Sequence, residues 1–102
     1  MKNSIITELV KFKALETTTD EQLISKANTF NDFQRKQDGF IDAELVKDVK
    51  ENLWYLIYHY ESMDKVKVVG EKLRESKMFD ELMPLLDRDS VSITFYKQLK
   101  KW

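Results

Sequence analysis

The chain has no cysteine among its 102 residues. That excludes disulfides, thiolate metal sites and cysteine nucleophiles together. It has one histidine, one proline and two glycines. A single imidazole without thiols leaves only carboxylate-rich metal sites, and no compact carboxylate motif occurs. Two glycines leave no phosphate-cradling loop, and no nucleophile-elbow pattern surrounds a serine. No cofactor is implied by any of these residues. Neither sign of charge dominates, with 17 Lys and Arg against 18 Asp and Glu. A nucleic-acid partner would require a basic surface, so none is expected. The pairs Lys11/Lys13 and Lys100/Lys101 read as solvated positions. No apolar run approaches the ~20 residues of a membrane helix, and no membrane partner is expected. Met1-Lys2-Asn3-Ser4 leads straight into a strand-like pattern without a signal-peptide cleavage region, which points to the cytoplasm.

What the chain does have is a 42% apolar content beside 34% charged residues. This is the balance of one globular domain, spanning 1–102, with a modest core. Its most apolar and aromatic stretch is Trp54-Tyr55-Leu56-Ile57-Tyr58-His59-Tyr60-Glu61. β-branched and aromatic residues without turn formers predict a strand. Trp54, Leu56, Tyr58 and Tyr60 share one face; Tyr55, Ile57 and the sole histidine, His59, share the other. Neither face is polar, as in the centre of a sheet.

Other elements follow in order. Ile5 to Ala14 alternates as a strand, with Glu8 on the face of Ile6, Val10 and Phe12. Thr18/Glu21 or Thr19/Gln22 has capping-box spacing, opening a helix from Asp20 to about Lys36. Leu23, Ala27, Phe30 and Phe33 form its apolar stripe. Gly39 suits the left-handed conformation of a helix stop. Phe40 to Val46 alternates again, with Phe40, Asp42, Glu44 and Val46 on one side and Ile41, Ala43 and Leu45 on the other. Residues 47–52 form a polar hairpin loop. Ser62 caps a second helix carrying Met63, Val66, Val69, Gly70 and Leu73, and close packing against a neighbour is the expected reason for Gly70. Ser76-Lys77 marks a break, and a second short apolar stripe ends at Pro84. Asp87 to Ser90 reads as a polar turn before a last strand from Val91 to Lys97. The tail ends on Trp102, and an aromatic end is more often packed than free.

Strand, helix, strand, strand, helix, strand is the α+β, ferredoxin-like βαββαβ plan. Right-handed crossovers place two helices on one face of a four-stranded antiparallel sheet, with the first and third strands central. The other face would expose apolar side chains, so a two-fold homodimer is expected to cover it.

Several stretches carry a resemblance. They are Glu8-Leu9-Val10-Lys11-Phe12-Lys13, Gln37-Asp38-Gly39-Phe40-Ile41, Trp54 to Ser62, Met78-Phe79 with Leu82, and Asp89-Ser90-Val91-Ser92. Over nearly its whole length the chain resembles the dimeric α+β-barrel superfamily, and within it the antibiotic biosynthesis monooxygenase-like proteins. The resemblance implies a homodimeric barrel with a pocket in each subunit between sheet and helices. Members include cofactor-independent oxygenases of polycyclic phenols, haem-degrading oxygenases, cyclases and isomerases. The haem-degrading type uses a first-strand asparagine and a tryptophan and histidine on the second helix. This chain has Phe12 at the first position, and neither residue between Met63 and Met83, which speaks against that mechanism.

Two residues are candidates for proton transfer. His59 is one, since an imidazole suits abstraction of a proton from a phenol or enol; it also reads as a packed, hydrogen-bonded and inert histidine. Glu8, if enclosed, would have a raised pKa and act as a base; it also reads as a strand-start residue reaching solvent or pairing with a lysine. The two could pair across neighbouring strands. Trp54, Tyr58 and Tyr60, with Phe12 and Phe79, are candidates to hold a flat aromatic ligand, as is Tyr55 from the opposite face. Ordinary core is the competing reading for all of them. The sequence thus admits a cofactor-independent monooxygenase of a small aromatic or polyketide-like substrate, or a non-catalytic small-molecule-binding or structural dimer.

Overall fold

A computed structural model describes residues 4–102. Its elements are β1 (Ile6–Ala14), α1 (Asp20–Gln34), β2 (Phe40–Lys47), β3 (Trp54–Tyr60), α2 (Met63–Ser76), α3 (Phe79–Leu82) and β4 (Leu86–Lys97), with a 3-10 turn at Met83–Leu85. The strands form one antiparallel sheet in the order β2-β3-β1-β4. This is the ferredoxin-like arrangement, with β3 and β1 central.

Local chemistry sets the boundaries. Thr19 and Gln22 make the reciprocal capping box that starts α1, which satisfies two otherwise orphaned backbone donors. Ser62 accepts from the Lys65 amide at 3.3 Å and starts α2. That helix ends at Ser76 because Lys77 turns left-handed, φ 61°. Gly39 has φ +90° and the Lys65 side chain lies where a Cβ would project. Lys65 also pairs with Asp38. Glycine is thus required there both by backbone conformation and by close approach. In the β2–β3 hairpin, the Asp48 carboxylate accepts from the Lys50 and Glu51 amides.

β3 buries Trp54, Leu56, Tyr58 and Tyr60 against the helices. They meet Leu23 and Phe30 of α1 and Val66, Val69 and Leu73 of α2 in one core cluster. Phe12 stacks on Trp54, with ring centroids 6.3 Å apart and planes 7° apart. Such a pair adds about 0.5–1.5 kcal/mol beyond its buried area. The opposite face of the sheet, with Leu9, Tyr55, Ile57 and Tyr96, has no layer over it among the described residues.

Four expectations need correction. Asp87 to Ser90 is no turn before the strand but part of β4. Between the pairs Lys11↔Ser92 and Lys13↔Asp87, β4 advances five residues while β1 advances two. Ser90 Oγ fills the break, accepting from the Lys13 amide at 2.8 Å and donating to the Asp87 carbonyl at 2.6 Å. A polar tetrapeptide therefore reads as a turn when it is an irregularity inside a strand. At β2, a register shift between Phe40 and Asp42 places Phe40 opposite Tyr60, on the face of Ala43 and Leu45 rather than of Asp42. Gly70 is not closely packed: an added Cβ would approach only Arg74 Nη1, at 3.8 Å. Finally, Trp102 is 99% exposed, because the last backbone bond to the sheet is that of Gln98 to Ile5 and no described element receives the tail.

Candidate functional site

Glu8 lies in mid-β1, opposite Tyr58 of β3 and Phe95 of β4. Directly opposed residues in an antiparallel pair share a face. The alternation that buries Phe12 and packs Ile6 and Val10 on the core therefore turns Glu8 inward as well. Its surroundings are mostly hydrocarbon. Burial pushes its carboxyl up from an ordinary 4.5 to about 7, because the charged form loses hydration without a compensating partner.

Two spaces meet at this carboxyl. The inner one is a cavity of about 70 Å³ under α1 and α3, with walls that include Phe12, Phe30, Leu56, Leu82 and Met83. The outer one is an open cleft of about 710 Å³ between α2 and the β1–β4 side of the sheet. Glu8, Leu73, Phe79 and Ile93 border both. Phe79 is half-exposed and meets Phe30 edge-on at 5.4 Å, forming part of the partition. Gly70 lies along the cleft with Lys67 and Arg74. The missing side chain at Gly70 thus leaves open space on the cleft side of α2 and does not seat a neighbouring helix.

Polar groups on the cavity wall are few, whereas the cleft is also lined by Lys67, Glu71 and Arg74 of α2. Tyr58 borders the cavity and Tyr60 the cleft. Both phenols are pushed upward, first by burial and then by the nearby Glu8 carboxylate, so they stay protonated and can donate hydrogen bonds. Gln34, the last residue of α1, is 1% exposed and its Nε2 donates to Tyr60 Oη at 3.1 Å. An apolar concavity with a handful of convergent polar groups has the anatomy of a small-molecule site.

The structure brings together Glu8, Tyr58, Tyr60, Phe12 and Phe79. It does not bring His59 to them. His59 is opposite Thr7 and Asp42, on the other face of the sheet, where Nδ1 lies 2.6 Å from Asp42 Oδ1. Glu8 and His59 are diagonal neighbours across the β1–β3 pair but lie on opposite faces of the sheet. Tyr55 shares the face of His59. Trp54 faces the helices yet borders neither space: it stacks on Phe12, its Nε1 donates to Asn52 at 3.2 Å, and Lys47 Nζ lies 4.9 Å above its ring. Among the described residues no three His, Asp or Glu side chains converge as a metal site requires, and no helix is long and apolar enough to cross a membrane. Sequence reading missed Gln34. The available signal was a polar residue four positions after Phe30, on the apolar stripe.

No protein-family model matches the sequence, and no curated protein matches it. Solved structures do. SnoaB from Streptomyces nogalater, a cofactor-independent oxygenase, superposes with a TM-score of 0.81 at 13% identity, over 96% of each chain. Rv0793 from Mycobacterium tuberculosis gives 0.79 at 16% identity, over 96% of this chain and 98% of that one. A candidate antibiotic biosynthesis monooxygenase from Nitrosomonas europaea gives 0.76 at 10% identity, over 97% and 94%. At such identities the likeness is one of fold: this chain has the α+β fold of the antibiotic biosynthesis monooxygenase-like proteins.

Proposed function

We propose that this chain is a cofactor-independent monooxygenase acting on a small aromatic or polyketide-like substrate with an acidic phenol or enol. The observation that carries the proposal is Glu8: a carboxyl poised near neutrality where an apolar cavity meets an open cleft of about 710 Å³. A base works best when its pKa lies near the working pH. In this reading Glu8 takes the phenolic or enolic proton, leaving an electron-rich anion held among Phe79, Ile93 and Phe95. That anion reduces dioxygen directly. A ring methylene becomes a carbonyl, one oxygen atom enters the product, and the other leaves as water with the two displaced hydrogens. Tyr58 and Tyr60 donate hydrogen bonds to developing negative charge. The likeness to SnoaB, a cofactor-independent oxygenase, supports this reading.

The proposal includes a homodimer in which a second copy covers the Leu9–Tyr55–Ile57–Tyr96 face. A sheet face that leaves such apolar side chains without a covering layer is the kind of surface a partner covers. Light scattering at micromolar concentration is expected to give about twice the chain mass of 12.2 kDa; a clean monomer refutes the dimer.

The direct assay of activity is oxygen uptake with a panel of naphthols, anthrones and hydroquinones. Wild-type protein is expected to consume oxygen with at least one class. Glu8→Gln, which preserves shape and removes the base, is expected to lose about 100-fold or more. No uptake by the wild type across the panel, or equal uptake by Glu8→Gln, overturns the proposal.

A further inference from the structure

Gln34 carries an unusual unmet requirement. It is buried to 1% exposure, it borders the inner cavity, and its Nε2 is committed to Tyr60 Oη. Its Oε1 has no hydrogen-bond partner. A buried acceptor left unpaired costs roughly 1–3 kcal/mol, so native structures keep such groups only with a reason. Replacement by an apolar residue would relieve that cost. Gln34 instead borders a cavity whose other polar wall groups are Glu8 and Tyr58.

We infer that Gln34 Oε1 is a ligand anchor, and that the substrate carries a second hydrogen-bond donor besides the group that Glu8 deprotonates. This rests on the reading of cavity and cleft as the substrate site. An amide oxygen can only accept, so its partner must present O–H or N–H. One hydroxyl cannot deliver its single proton to Glu8 and to Gln34 together. The chemistry therefore selects a dihydroxylated aromatic over a monohydroxylated one. The ring body occupies the cleft, and the second hydroxyl enters the cavity past Phe79 and Leu73. The 70 Å³ cavity is too small for a polycycle but admits such an edge. A site built to hydrogen-bond a hydroxyl discriminates strongly against analogues that lack it, because the buried acceptor is then left unpaired. Gln34 is in this sense a specificity-determining residue, separate from the proton transfer at Glu8.

The test is binding, not turnover, measured by calorimetry under argon. The probes are 1,5-dihydroxynaphthalene and 5-methoxy-1-naphthol, which differ in one donor. Wild-type protein is expected to prefer the diol roughly tenfold. Gln34→Met, similar in volume and without an acceptor amide, is expected to bind both probes equally. In the unmodified protein, the Gln34 side-chain amide resonance is expected to shift with the diol and to stay in place with the methyl ether. This reading survives a Gln34→Met variant that does not fold. Equal affinity of the wild type for the two probes, no binding of either, or the same preference in Gln34→Met overturns the inference. Selective binding without oxygen uptake would leave Gln34 as the anchor and remove the monooxygenase; oxygen uptake with no diol preference would do the reverse.

Discussion

Glu8→Gln should make the protein more stable, and by an amount that grows with pH. In the unfolded chain the carboxyl titrates at its ordinary 4.5; in the folded protein it titrates at about 7. Between those values the folded state binds the extra proton, so stability falls as pH rises. Below 4.5 the carboxyl is neutral in both states and contributes no difference. Above 7 it is charged in both, and the folded state bears the whole cost of holding that charge away from water. A displacement from 4.5 to about 7 corresponds to about 3 kcal/mol between the protonation states. The carboxyl is only half-buried and the cleft admits water, so about 2–3 kcal/mol is expected. The assay is urea unfolding of wild type and Glu8→Gln from pH 4.5 to 8.5. Protein concentration must be constant, because the stability of a dimer depends on it. The difference between the two proteins isolates Glu8 from every other titrating group. It should widen in favour of Gln by about 2–3 kcal/mol between pH 5 and pH 8. A difference that stays flat, or widens in favour of the wild type, refutes the placement of Glu8 in an apolar wall.

Gly70→Ala is expected to raise stability by up to about 1 kcal/mol, since the methyl meets no obstruction and alanine favours helix; it should also narrow the cleft and raise KM in the oxygen-uptake assay. Gly39→Ala should do the opposite, lowering the urea midpoint by an amount equivalent to about 1–3 kcal/mol, because φ +90° strains any other residue and the Lys65 side chain must move. His59→Ala is expected to leave oxygen uptake within about twofold of wild type, because its ring lies across the sheet from Glu8; a loss as deep as that of Glu8→Gln would place the chemistry on the wrong face.

Much of this protein is written locally. Alternation in β1 and β3, the Ser62 cap and the break at Ser76-Lys77 each depend on residues within a few positions of one another, and each is legible without coordinates; the first cap is legible only as Thr18 or Thr19, and the structure selects Thr19. The βαββαβ order, and with it the central placement of β1 and β3, follows because crossovers have one hand and helices must bury their stripes. The two-sided apolar character of Trp54 to Tyr60 announced the sheet centre. It did not announce which face would meet the helices, since Tyr55 and Ile57 are as apolar as Leu56 and Tyr58.

That decision belongs to tertiary structure, because it depends on the pairing register of strands distant in sequence. Register sets Glu8 opposite Tyr58 and His59 opposite Thr7, and so puts the two proton-transfer candidates on opposite faces. It also turns Asp87 to Ser90 into an irregularity in β4 and moves Phe40 across β2, where a single displaced residue exchanges the faces. The raised pKa of Glu8 and the unpaired oxygen of Gln34 are likewise invisible in sequence. Both arise from what surrounds a side chain after packing, and a carboxylate or an amide has the same letter in water as in hydrocarbon.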